Sequence, residues 1–165
     1  MVNNKALEAL QQAIRLETEG QRFYLDAAER VQDARGKDMF RLLAKDEAIH
    51  LRLVQNQYES LKEVGEWAAG PPLKVKSIDL DKPLFPKGKE SVTVAVKPDY
   101  TEKDALLFAL DIESKSYDLY RTAAQETDSA RGKQVYTFLA GEEQTHFDTL
   151  MMRYEFVAGP QAWTS

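Results

Sequence analysis

Glu143-Gln144-Thr145-His146 places a carboxylate and an imidazole three residues apart, one turn along the same side of an α-helix. The residues around it, Tyr136, Leu139, Leu150, Arg153 and Val157, continue alternating steps of three and four. That spacing is the buried stripe of an amphipathic helix, so two polar groups stand where apolar side chains belong. Burying such groups is costly unless partners are supplied. The rest of the chain must therefore be searched for them.

The nearest partner is a second copy of the motif. Glu47-Ala48-Ile49-His50 lies in the stripe Phe40, Leu43, Glu47, His50, Val54, Gln57, Leu61. A shift of 96 residues superposes 13–50 on 109–146 without a gap, and Ala13, Glu17, Tyr24, Gly36, Leu43, Glu47 and His50 meet identical residues at Ala109, Glu113, Tyr120, Gly132, Leu139, Glu143 and His146. The chain writes one helical hairpin twice. Such a period is too long for a solenoid and implies two hairpins related by a pseudo-two-fold.

Working outward, Asn4 is a candidate cap for a first helix over about 5–31, with Leu7, Leu10, Ile14, Glu17, Gln21, Tyr24, Ala28 and Val31 on its stripe. Asp33 caps the second helix. Thr101 with Asp104 opens a third over about 102–127, striped by Leu106, Leu110, Glu113, Tyr117, Tyr120 and Ala124. Ser129 caps the fourth, which ends before Gly159-Pro160. These elements predict an all-α four-helix bundle in one domain over 1–165: hairpin 1 at about 5–64, a crossover at about 65–100, and hairpin 2 at about 101–158. The crossover holds Pro71, Pro72, Pro83, Pro86, Gly88 and Pro98 and has no helical period. A connection this long needs a reason; it is expected to run the full length of the bundle, with a short strand or extended stretch at Ser91–Val96.

Composition narrows the function. At 43% hydrophobic and 30% charged, the chain has the balance of a globular protein. A net charge of -5 and no basic block argue against a nucleic-acid partner. There is no cysteine, which excludes thiolate metal sites and cysteine nucleophiles. No stretch approaches the roughly 20 apolar residues of a membrane span. The N-terminal Met1-Val2-Asn3-Asn4 lacks the apolar run of a secretory leader. A cytoplasmic protein is expected.

Hairpin geometry levels the polar residues. Glu17 precedes the turn near residue 33 by about as many residues as Glu47 and His50 follow it, so all three stand within roughly one turn of 5.4 Å. Glu113, Glu143 and His146 match them in the second hairpin. If the stripes face one another, four carboxylates and two imidazoles meet at the bundle centre, with no Lys or Arg on the stripes at that level to neutralise them. Two divalent metals would balance four negative charges. Oxygen-rich ligation with one histidine per metal suits iron or manganese better than a structural zinc site. One Glu from each of two helices and a Glu-x-x-His from each of the other two is the di-iron or di-manganese arrangement of ferritin-like bundles.

These motifs resemble the rubrerythrin branch of the ferritin-like superfamily over nearly the whole chain. They are Glu17 with Phe23-Tyr24, Leu43-Ala44-Lys45-Asp46-Glu47 with His50, Glu113 with Tyr120, and Leu139-Ala140-Gly141-Glu142-Glu143 with His146. The resemblance implies that Glu17, Glu47, His50, Glu113, Glu143 and His146 hold two iron ions and that two of the glutamates bridge them; Glu47 and Glu143 are candidates for that pair, which the sequence does not single out. It also implies reduction of hydrogen peroxide or dioxygen, and a homodimer; the long crossover is compatible with hairpins exchanged between the two copies or kept within each. Two features depart from it. Rubrerythrins carry a cysteine-ligated iron domain as electron donor, whereas here electrons would come from a separate protein. They also use an extra glutamate one turn after the third-helix ligand, where this chain has Ser116, the repeat mate of Gly20.

Blander readings stand beside these. Tyr24 and Tyr120 are either core aromatics or donors to a ligand carboxylate. Asp46 and Glu142, four residues before each histidine, either hold the N–H of that same histidine or are solvated acids. Arg35-Gly36-Lys37 and Arg131-Gly132-Lys133 read as turn chemistry, and Trp67 and Trp163 as packing or dimer contacts. The rivals to an oxidoreductase are a ferroxidase or iron-handling subunit and a metal-free structural module.

Overall fold

Helix starts in this chain are set by side chains that satisfy loose backbone N–H groups. The computed structural model describes residues 4–84 and 98–163. Among these run four helices and no strand: α1 (Asn4–Arg30), α2 (Ala34–Val64), α3 (Glu102–Glu126) and α4 (Ala130–Ala158). The Asp33 carboxylate accepts from the backbone N–H groups of Arg35 and Gly36 at the start of α2. Thr101 and Asp104 form a reciprocal capping box on α3, and the Ser129 hydroxyl accepts from the Gly132 N–H on α4. Each such cap contributes about 1 kcal/mol. Gly65 closes α2 at φ 75°, a left-handed conformation that glycine adopts without steric cost.

Two expectations need correction. Asn4 is the first residue of α1 and not its cap. The α1 stripe is also displaced: Leu7, Ile14 and Gln21 are only half-buried, while Ala6, Ala13, Gly20 and Ala27, spaced by seven, are buried. Small residues on this line bring α1 close to its neighbour. A Cβ on Gly20 would lie 2.9 Å from Glu47 Oε2. The stretch Ser91–Val96 lies outside the described residues.

Ion pairs fix the helix directions. Lys5 meets Glu126 at 3.2 Å at one end of the bundle. At the other end Arg153 reaches Glu102 at 2.6 Å and Asp33 at 3.1 Å. Thus α2 and α3 run parallel, and the chain between them must travel the bundle's length. The described part of the crossover climbs along hairpin 2 as far as Thr145 and then turns back towards the end of α3, where the Leu80 carbonyl accepts from Arg121 and Gln125, each at 3.2 Å. Trp67 lies against Gly132 and stands edge-on to Tyr136, with ring centroids 5.4 Å apart. Further along, Lys76 donates to Thr145 at 2.6 Å and Tyr117 donates to the Asp79 carbonyl at 3.2 Å. The chain reappears at the far end, where Arg30 donates to the Pro98 carbonyl and Tyr100 donates to Asp26 at 2.6 Å.

Two apolar clusters fill the interior. One gathers Tyr24, Phe40, Leu43, Leu106, Leu110, Phe147 and Leu150. The other gathers Leu10, Val54, Leu61, Tyr117, Tyr120, Tyr136 and Leu139. Full burial of one such side chain stabilises the fold by about 1.5–3 kcal/mol, which offsets a polar layer between them. That layer is formed by Glu17, Glu47, His50, Glu113, Glu143 and His146, each at most 3% exposed.

Candidate metal centre

All six predicted residues converge in this layer. One donor atom from each of Glu47, His50, Glu143 and His146 lies within 4.8 Å of the others. Both histidines turn Nδ1 inward. His50 Nδ1 lies 3.7 Å from Glu17 Oε2, 3.9 Å from Glu47 Oε1 and 3.5 Å from Glu143 Oε1. His146 Nδ1 lies 3.1 Å from Glu47 Oε1, 3.4 Å from Glu113 Oε1 and 3.4 Å from Glu143 Oε2. Glu47 and Glu143 therefore stand between the two imidazoles, whereas Glu17 faces His50 and Glu113 faces His146. The rings themselves are nearly parallel, 5.4 Å apart.

Across the hairpins, the tyrosines tie the outer carboxylates. Tyr24 donates to Glu113 Oε1 and Tyr120 donates to Glu17 Oε1, each at 2.5 Å. The two acids preceding the histidines also reach across, a correction to pairing within one helix. Asp46 Oδ2 sits 3.1 Å from Nε2 of His146, and Glu142 Oε2 sits 3.7 Å from Nε2 of His50. The i−4 spacing pointed to the right atoms on the wrong ring, since neighbours across a bundle are not encoded in one helix's period. Sequence reasoning missed Lys76, which stands 3.6 Å from Glu142 Oε1; the crossover offers no periodicity that could have found it. Trp67 and Trp163 both make ring contacts, the former 5.4 Å from the Tyr136 ring and the latter 4.6 Å from the Tyr154 ring.

Without metal the layer sorts its charges. Burial, then the neighbouring carboxylates, hold Glu47 and Glu143 well above the usual carboxylate range. Burial acts on Glu17 too, but contacts with His50 and the neighbouring acids outweigh it and bring it down to about 2. Glu113 is lowered in the same way, burial being outweighed by Glu143, His146 and Tyr24. Burial pulls both imidazoles down, yet the surrounding carboxylates raise them well above their ordinary value. Burial and the adjacent carboxylates push Tyr24 and Tyr120 well up, so both remain O–H donors.

Protons alone do not satisfy this centre. Glu17 Oε2, Glu47 Oε1, Glu113 Oε2, both oxygens of Glu143, and Nδ1 of His50 and His146 are buried without a hydrogen-bond partner. Buried polar atoms in native proteins are nearly always paired, and a cluster of such atoms facing one small volume fits metal cations. Oxygen with a minority of imidazole nitrogen is a donor set for iron or manganese.

Comparisons with known proteins agree with this arrangement. Residues 8–154 match the family described as Rubrerythrin. A solved structure of a hypothetical protein from Pyrococcus furiosus shares the fold, with a TM-score of 0.67 and 22% identity over 93% of this chain and 90% of that one. No curated protein matches. Among the described residues no helix is long and apolar enough to cross a membrane.

Proposed function

The chain belongs to the rubrerythrin family, and from that membership we propose that it is a non-haem di-iron oxidoreductase that reduces hydrogen peroxide or dioxygen with electrons from a separate donor protein. The observation that carries this reading is the set of orphaned donor atoms from four glutamates and two histidines in one buried layer. When bound, two ferrous ions would each supply one electron to the oxidant.

The protein's own residues do the holding. Glu47 and Glu143, placed between both imidazoles, would bridge the two positions. Glu17 with His50 would complete one, and Glu113 with His146 the other. Tyr24 and Tyr120 fix one oxygen of Glu113 and Glu17, leaving the second free to ligate. Asp46 and Glu142 approach the outer imidazole nitrogens, so that Nδ1 points inward as the ligand atom. The apolar clusters on either side exclude water from the layer.

We also propose a cytoplasmic homodimer. Exposed apolar side chains support a second copy: Leu42 and Ile49 on α2, and Met152 and Phe156 on α4, the last two 74% exposed. Light scattering tests it, and a monomer at micromolar concentration overturns it. For the activity, the test is stopped-flow oxidation of the ferrous-loaded protein by hydrogen peroxide and by dioxygen in separate runs. Much faster oxidation by peroxide is expected of a peroxidase. Faster oxidation by dioxygen points to a ferroxidase, and equally slow reaction with both overturns the enzymatic reading.

A further inference from the structure

We propose that Lys76, in the crossover, makes the two metal positions unequal, so that the position beside His146 fills first and binds more tightly than the one beside His50. The inference rests on the two-metal reading above.

Asp46 and Glu142 are repeat mates, and each addresses the outer nitrogen of the histidine on the opposite hairpin. Their geometries differ. Asp46 lies at hydrogen-bond distance from His146, 3.1 Å, whereas Glu142 stands 3.7 Å from His50. Among the described residues the crossover meets only one of the two acids, Glu142. Lys76 Nζ stands 3.6 Å from the other oxygen of Glu142 and is anchored by its 2.6 Å hydrogen bond to Thr145. Its stem packs over Gly141, where a Cβ would meet Lys76 Cβ at an ordinary van der Waals distance of 3.5 Å.

Hairpin 1 lacks this device. The repeat mates of Gly141 and Thr145 are Lys45 and Ile49, both exposed, and among the described residues the only ion pair of Asp46 is with His146. A carboxylate that accepts the outer N–H of a ligating histidine makes the inner nitrogen a stronger donor. Asp46 does this undivided for His146. Glu142 shares its charge with a lysine, and that lysine's positive charge opposes a second dication nearby. The repeat is therefore symmetric in its ligands and asymmetric in what supports them.

The experiment is calorimetric titration of the metal-free protein with Mn²⁺, for the wild type and for Lys76→Met, Lys76→Arg and Asp46→Asn. The wild type is expected to bind two ions in steps separated by about 10-fold or more. Lys76→Met draws the steps together by tightening the second, and Lys76→Arg keeps them apart. Asp46→Asn draws them together by weakening the first, by about 10–100-fold. Lys76 is half-exposed, so its variants are expected to fold; thermal melting of the metal-free proteins checks this. Steps that coincide in the wild type overturn the inference. So does a Lys76→Met protein that melts differently but keeps the wild-type ratio of steps. A wild type that binds no Mn²⁺ overturns the two-metal reading itself, which is a separate outcome.

Discussion

The Tyr24 hydroxyl on α1 donates a 2.5 Å hydrogen bond to Glu113 on α3, and the repeat returns it: Tyr120 on α3 donates to Glu17 on α1 at the same distance. Each hairpin thus holds the outer carboxylate of the other. A hydroxyl donating to a buried, ionised carboxylate is a charge-assisted bond, and its loss leaves an acceptor without a partner. Tyr24→Phe and Tyr120→Phe should each destabilise the metal-free protein by about 1.5–3 kcal/mol. Urea denaturation measures this, and a change near zero in both would show that the tyrosines are packing residues only.

Stability should respond to pH oppositely with and without metal. In the metal-free protein Glu47 and Glu143 are raised above the ordinary 4.5, so they keep protons that the unfolded chain has released, and stability falls as pH rises beyond that value. Raised imidazoles act in the same direction: their contribution is full below 6.5 and is lost as pH climbs through their folded values. Glu17 and Glu113 act the other way. Their stabilisation is present above 4.5 and disappears as pH falls, for Glu17 through about 2. The metal-free protein should therefore melt highest in mildly acidic solution. Metal binding must displace the protons on two carboxyls and two imidazoles, so the loaded protein should gain stability as pH rises towards neutral. Melting curves across pH, with chelator and with Mn²⁺, distinguish the two profiles.

Glu143→Leu separates a metal centre from a structural polar core. Replacing a buried ionisable residue by a well-packed apolar one is often neutral or stabilising by about 1–4 kcal/mol. The metal-free variant should melt at or above the wild-type temperature while losing both ions. If it retains both ions, Glu143 is no ligand.

Gly20→Ala tests the space around Glu47. Alanine favours the helix by about 1 kcal/mol over glycine, but its Cβ would press to within 2.9 Å of Glu47 Oε2. The expected result is unchanged or slightly higher stability of the metal-free protein together with weakened Mn²⁺ binding. Unaltered binding would mean that Glu47 can shift without consequence.

Much of this was legible in the chain because helical burial is periodic. Carboxylates and imidazoles on apolar stripes stand out, and the exact 96-residue repeat assigned each one a mate. The caps at Asp33, Thr101 and Ser129 were readable for a similar reason, since capping acts over three residues. The first stripe was misplaced because Leu7 and Ile14 outweigh Ala6, Ala13 and Gly20 in apolar character. What is buried in α1 was decided instead by how closely the helices approach.

By itself, then, the sequence determined four helices, two equivalent hairpins, and the six residues that share one level. All of these follow from spacing along single helices. Tertiary structure alone decided which partner each residue meets: Tyr24 with Glu113, Asp46 with His146, and Lys76 with Glu142. Those pairings depend on how separate helices and an aperiodic crossover pack, and no local rule of spacing carries that information.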